Sequence, residues 1–273
     1  MASATGIPDP AIDPRPEGVG EDEPLLGRAG DASQQAGRPL YYNLVIGMEM
    51  RALVNQASAN IFISGTAVIA QAGIVLLVAS VWAGIFLHPP YILFSAHPLL
   101  NSAGILALIE SILILQPTHT AEQKRKGTIA HFTLNNLALD LLIAGLVIIE
   151  VNKFSHKGTH FESPHAILGL ITYIFLAIQA LVGFTQYFVP NLYGSVDKAK
   201  AIYKWHRISG YIILTLLLAT AIAATQTDFN KTTLDIKIWA IIIAAALVLI
   251  GVLPRIKKQK LGLGPRPSNA FGQ

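Results

Sequence analysis

No cysteine occurs anywhere in the 273 residues, which excludes disulfides, iron–sulfur clusters, thiolate metal sites and covalently attached c-type haem. Charge is also scarce. Only 13% of the residues are Asp, Glu, Lys or Arg, against about one quarter in an average soluble domain. With 52% hydrophobic residues, the chain has a composition suited to lipid rather than water. Any metal chemistry is left to histidine, carboxylate or a bound cofactor. The net charge of +4 and pI near 9.2 do not point to nucleic acid, because the basic residues cluster beside apolar runs, where a bilayer surface accounts for them.

Six apolar runs, about 62–88, 93–116, 130–151, 164–189, 206–225 and 236–254, are each long enough to cross a hydrocarbon core of about 30 Å, which needs roughly 20 helical residues. The expected fold is all-α: an integral membrane bundle of six transmembrane helices, with spans two to five forming a four-helix core. Residues 1–55 read as a disordered tail rich in Pro, Gly, Ala and acidic residues, residues 56–255 as the membrane domain and 256–273 as a short C-terminal tail. No short apolar segment preceded by positive charge opens the chain, so the first span is expected to direct insertion itself. Within the tail, Glu21-Asp22-Glu23-Pro24-Leu25-Leu26 resembles an acidic dileucine sorting signal, which implies a vacuolar or endosomal membrane.

Orientation follows from the basic residues of the short loops. Lys124, Arg125 and Lys126 lie between spans two and three; Lys198, Lys200, Lys204 and Arg207 lie between four and five; Arg255, Lys257, Lys258 and Lys260 follow span six. The opposite loops hold only Lys153, Lys157, Lys231 and Lys237. Both termini are therefore expected in the cytosol.

Four of the eight histidines fall near the starts of successive spans: His97, His131, His165 and His206. Because the spans alternate in direction, His97 and His165 enter from the extracytoplasmic side, and His131 and His206 from the cytosolic side. Two imidazoles on neighbouring helices can close both axial positions of one haem, which favours electron transfer over oxygen activation. The depth of each histidine puts the two irons on the order of 15–20 Å apart. One turn further along, each proposed pair combines one asparagine with one glycine: Asn101 with Gly169, and Asn135 with Gly210. The alternative is that these are interfacial histidines bonded to backbone or headgroups. Four ionisable groups at matched depths inside a membrane favour function.

At these residues the sequence resembles the cytochrome b561 family of ascorbate-dependent transmembrane electron carriers. The matching stretches are LFSAHPLL with IESILIL, KGTIAHFTLNNLAL, ESPHAILG with IQALVGF, and YKWHRISGY, over about residues 60–255. The resemblance implies two non-covalent b-type haems. His97 and His165 would hold the extracytoplasmic one, and His131 and His206 the cytosolic one. It further implies ascorbate as the cytosolic donor, monodehydroascorbate or a ferric chelate as the acceptor, and often a homodimer. One departure concerns the donor site: animal members carry a basic residue about three positions before the third-span histidine, and here that position is Thr128, with Lys126 nearest. Other membrane di-haem families place two histidines 13 or 14 residues apart on one helix, whereas this chain has Glu110 and Gln179 at the corresponding positions.

Lys124, Lys126, Lys200 and Lys204 are candidates for drawing an ascorbate anion to the cytosolic face, although plain positive-inside topology also accounts for them. His160, with His156, is a candidate guide for ferric chelates at the other face. Gln179 lies on nearly the same helix face as His165 but deeper, where it can bond either a propionate of the cytosolic haem or a neighbouring helix. Gly183, five turns from His165, reads as a packing residue beside that haem. Glu110 and Asp140 lie within spans without an assigned role. The rival reading from another class is a six-span transporter or structural protein that binds no haem.

Overall fold

A computed structural model describes residues 66–116, 118, 121–256 and 261. The N-terminal tail, with its dileucine stretch, and most of the C-terminal tail lie outside the described residues. Six long helices follow one another: α1 (Thr66–Phe86), α2 (Ala96–Leu115), α3 (Ala121–Ser155), α4 (Pro164–Phe188), α5 (Val196–Ala224) and α6 (Ile238–Val252). All six segments are long and apolar enough to cross a membrane. Among the described residues there is no strand. The faces turned outward are greasy: Ile174, Phe175, Ile178 and Leu181 on α4 are all at least 47% exposed. Water would penalise such a continuous apolar surface, whereas lipid tails solvate it.

Two of the helices are longer than hydropathy alone indicates. The apolar runs beginning near 130 and 206 sit inside α3 and α5, which begin at Ala121 and Val196. Their first two to three turns carry Lys124, Arg125 and Lys126, and Lys198, Lys200 and Lys204. Lysine and arginine are good helix formers, so the helix continues beyond the hydrocarbon while the hydropathy signal stops. In consequence His131 and His206 stand well inside their helices, while His97 and His165 each follow directly on the first residue of α2 and α4.

Local signals fix these starts. Pro164 sits at the first turn of α4 and the Ser163 side chain accepts a bond from Ala166 N at 3.2 Å, a proline-plus-cap arrangement that pins His165 in the first turn. Ser195 caps α5 in the same way through Lys198 N at 3.2 Å. Just before it, Gly194 has φ +87°, a backbone angle at which any side chain is strained.

The helices pack mainly as antiparallel neighbours: α2 with α3, α4 with α5, and α1 with α6, while α1 also joins α2. Association within lipid rewards close approach of small residues, and the α1–α6 seam uses it. A Cβ added at Gly73 would stand 2.7 Å from the Ala244 carbonyl oxygen, and one at Gly251 would stand 2.4 Å from Ala70 N. Buried Ile74, Leu77, Ile109, Leu142, Leu214 and Val248 fill the interior between the seams.

Candidate functional site: paired histidines at the two ends of the bundle

Three of the four rings are oriented from the backbone of the antiparallel neighbour. His97 Nδ1 lies 2.8 Å from the Gly145 carbonyl oxygen on α3, and His131 Nδ1 lies 3.0 Å from the Ser111 carbonyl oxygen on α2. His165 Nδ1 lies 2.9 Å from the Thr220 carbonyl oxygen on α5. A carbonyl oxygen only accepts, so Nδ1 carries the proton in all three and Nε2 keeps its lone pair for a metal. This is the outer-shell arrangement that fixes tautomer and ring orientation in histidine metal sites. His206 is the exception: its Nδ1 is buried without a partner.

The same bonds measure the depth between the two levels. Gly145 follows His131 by fourteen residues, Ser111 follows His97 by fourteen, and Thr220 follows His206 by fourteen. At about 1.5 Å per residue that is roughly 21 Å along each helix. His97 and His165 thus occupy one end of the bundle and His131 and His206 the other.

At the first end the His97 and His165 rings face each other with centroids 6.2 Å apart and planes at 86°. They border a cavity of about 530 Å³ with Asn101, Gly169 and Tyr173 on its wall. Phe94 stacks on His97 at 5.7 Å and 11°. A Cβ placed on Gly169 would meet only Thr220 Cγ2, at 3.8 Å, so the backbone there opens onto the cavity. At the second end the His206 ring lies on Gly183, where a Cβ would come within 2.8 Å of Cε1. His131 is within electrostatic range of His206.

The remaining candidates surround these pairs. Asn101 Nδ2 donates to the His97 carbonyl oxygen at 2.8 Å, and the Tyr173 hydroxyl is 2.6 Å from Asn101 Oδ1 and 2.7 Å from the Leu142 carbonyl oxygen, able to donate to one at a time. Asn135 Oδ1 accepts from Ser111 Oγ at 3.1 Å, beside the carbonyl that holds His131. Gln179 makes the helix-to-helix bond: its Nε2 donates to the His206 carbonyl oxygen at 2.7 Å and its Oε1 accepts from Ser209 Oγ at 2.7 Å. That amide, 3.1 Å from a Cβ on Gly210, fills the space in front of this glycine. Gly210 therefore does not open onto a cavity as Gly169 does.

Lys124 and Lys126 rise from the first turns of α3, on the same end of the bundle as Lys200 and Lys204. Lys200 pairs with Asp197 at 3.4 Å, and Lys204 Nζ lies 5.3 Å from the centre of the Trp205 ring. At the opposite end His160 pairs with Glu150 at 3.3 Å and, with Lys153, lines the mouth of the cavity. Glu110 accepts from Gln71 Nε2 at 3.3 Å, joining α2 to α1, and Asp140 is exposed on α3. Tyr173, Phe94 and the three carbonyls escaped the reading of the sequence. Backbone acceptors leave no residue-type signal, and a lone tyrosine or phenylalanine in an apolar run reads as packing.

The sequence model describing eukaryotic cytochrome b561 matches residues 96–231, which contain all four histidines. The chain belongs to the cytochrome b561 family. Among similar proteins, the ascorbate-specific transmembrane electron transporter 2 of Zea mays is 28% identical over 131 residues, 48% of this chain and 54% of that protein. The transmembrane ascorbate-dependent reductase of Homo sapiens is 28% identical over 131 residues, 47% and 51% of the two chains. The lysosomal membrane ascorbate-dependent ferrireductase of Rattus norvegicus is 28% identical over 145 residues, 52% and 56%. The chain spans about half the length of these curated relatives.

Membership of the b561 family implies b-type haem, and the first histidine pair fits it. Two metal–nitrogen bonds of about 2 Å, with about 1 Å from each nitrogen to its ring centre, add to about 6 Å, the separation seen between His97 and His165. Among the described residues no group of three or more His, Cys, Asp or Glu is arranged to hold a bare metal ion. Two imidazoles suffice where a macrocycle supplies the other ligands.

Proposed function

We propose that this chain carries single electrons across a bilayer, from cytosolic ascorbate or a similar reductant to monodehydroascorbate or a ferric chelate on the other side. His97 and His165 hold one b-type haem near the extracytoplasmic face, and His131 and His206 hold a second near the cytosolic face. A haem held there would supply a one-electron couple.

The protein's own residues do the rest. The carbonyls of Gly145, Ser111 and Thr220 keep three of the four rings in the tautomer that leaves Nε2 free. Lys124, Lys126, Lys200 and Lys204 raise the local concentration of an anionic donor at the cytosolic end. The His160–Glu150 pair and Lys153 border the cavity mouth at the far end, where an acceptor would approach. The orientation, with both termini cytosolic, rests on the basic loops. An endosomal or vacuolar membrane agrees with the dileucine stretch and with the lysosomal membrane named for the rat relative.

The observation that carries this reading is the facing of His97 and His165 at 6.2 Å beside a cavity with an open glycine wall. Visible absorption of the purified protein tests it. A b-type α band that appears on adding ascorbate is expected. A protein without any reducible band would be a haem-free transporter or structural protein.

A further inference from the structure

Among the described residues, three buried side-chain atoms have no hydrogen-bond partner: Gln186 Oε1, Tyr203 hydroxyl and His206 Nδ1. Helix register brings them together. On α5, Tyr203 and His206 are one turn apart. On α4, Gly183 and Gln186 are one turn apart, and Gly183 is the residue on which the His206 ring lies. In an antiparallel pair one turn further along one helix is one turn back along the other, so Gln186 falls opposite Tyr203. All three orphans therefore collect at the cytosolic end of the α4–α5 seam.

Leaving three such groups dry is costly, about 1–3 kcal/mol for each. They are also chemically complementary. Gln186 Oε1 can only accept, a protonated His206 Nδ1 can only donate, and the tyrosine hydroxyl can do either. One molecule that both donates and accepts satisfies all three, and a buried water makes about three such bonds. Each atom has almost no accessible surface, so nothing larger than one water can reach all three.

We propose that Gln186, Tyr203 and His206 bind a single buried water, and that this water takes the place of the backbone carbonyl that orients each of the other three histidines. Gln186 and Tyr203 are then positioning residues that act on the cytosolic haem through the ligand His206, an inference that rests on the haem assignment above. A hydrogen bond accepted from Nδ1–H makes an imidazole more electron-donating and stabilises ferric iron. A ligand held through a water, rather than a carbonyl, is the one of the four whose donor strength side chains can adjust.

The test is a redox titration and electron paramagnetic resonance of the purified two-haem protein. The cytosolic component is assigned by its loss in His131→Ala. Tyr203→Phe and Gln186→Met, both close in size to the native residue, are expected to shift the reduction equilibrium of that component toward ferrous roughly threefold to tenfold, about one hydrogen bond, and to move its ferric resonance. The outer component should stay in place. Gln186→Glu, which keeps the acceptor, should hold the equilibrium on the ferric side. The double variant Tyr203→Phe with Gln186→Met should shift no further than the larger single, because both act through one water. Two haems with an unmoved cytosolic component, or equal shifts of both components, would overturn the proposal while leaving the electron-transfer reading intact. A protein that binds no haem would sink that reading first.

Discussion

His97 and His165, 68 positions apart in sequence, face each other with ring centres 6.2 Å apart and planes crossed at 86°. They sit on α2 and α4, yet neither takes its orientation from the other. His97 is held by α3 through Gly145 and His165 by α5 through Thr220. Each antiparallel hairpin thus aims one ring, and the cavity lies where the two hairpins meet. Changes at the hairpin seams should register at the metal.

Gly169→Leu separates the cavity from the fold. A Cβ there meets only Thr220 Cγ2, at 3.8 Å, so helicity and melting behaviour should change little. A leucine side chain would occupy space beside His165. Haem content should fall from two per chain toward one, the outer component being lost. Two haems retained per chain would mean that this cavity does not take the macrocycle.

Gly183→Ala should act at the other end. Its Cβ would come within 2.8 Å of His206 Cε1, so the ring must tilt, at a cost of about 1–3 kcal/mol. The expected result is weaker retention of the cytosolic haem during purification, measured as haem per protein, with the outer component unaltered. Equal loss of both would indicate general unfolding rather than displacement of one ligand.

Tyr173→Phe removes the donor of Asn101 Oδ1. Asn101 otherwise ties only to its own helix, through the His97 carbonyl at 2.8 Å. The loss of a part-buried bond should lower stability by about 1–3 kcal/mol and broaden the resonance of the outer haem as His97 loosens. Thermal melting and resonance spectroscopy on one preparation check both effects.

The six spans were legible because lipid imposes the plainest of sequence signals, an uninterrupted apolar run. The ends of α3 and α5 were not, since Lys124 to Lys126 and Lys198 to Lys204 look like loop yet favour helix. The four histidines were visible as a set because each lies at a matched depth. What holds three of them was invisible: Gly145, Ser111 and Thr220 contribute through their carbonyls, which carry no residue-type signal, although position 145 itself needs glycine because a Cβ there would come within 2.4 Å of Asn101 Nδ2. Gly169 and Gly210 looked equivalent, one turn after a histidine. The difference between them lies across the seam, where Gln179 fills the space before Gly210 and only Thr220 stands near Gly169. Such tertiary neighbours cannot be read from local spacing.

Topology is open to a direct check. Sealed vesicles with cytosolic content inside should protect the N-terminal tail from added protease, if the basic loops follow the positive-inside rule as proposed. Cleavage from outside would exchange the donor and acceptor ends assigned to the two histidine pairs.

The central claim is that ligands pair across helices, α2 with α4 and α3 with α5. It is tested by the spectra of four single variants, each titrated with ascorbate. His97→Ala and His165→Ala should remove the same spectral component and leave a haem that ascorbate still reduces but that cannot pass its electron to an external ferric chelate. His131→Ala and His206→Ala should remove the other component and slow entry of electrons from ascorbate. If His97→Ala and His131→Ala erased the same component, the pairing would be contradicted, even in a protein that binds two haems.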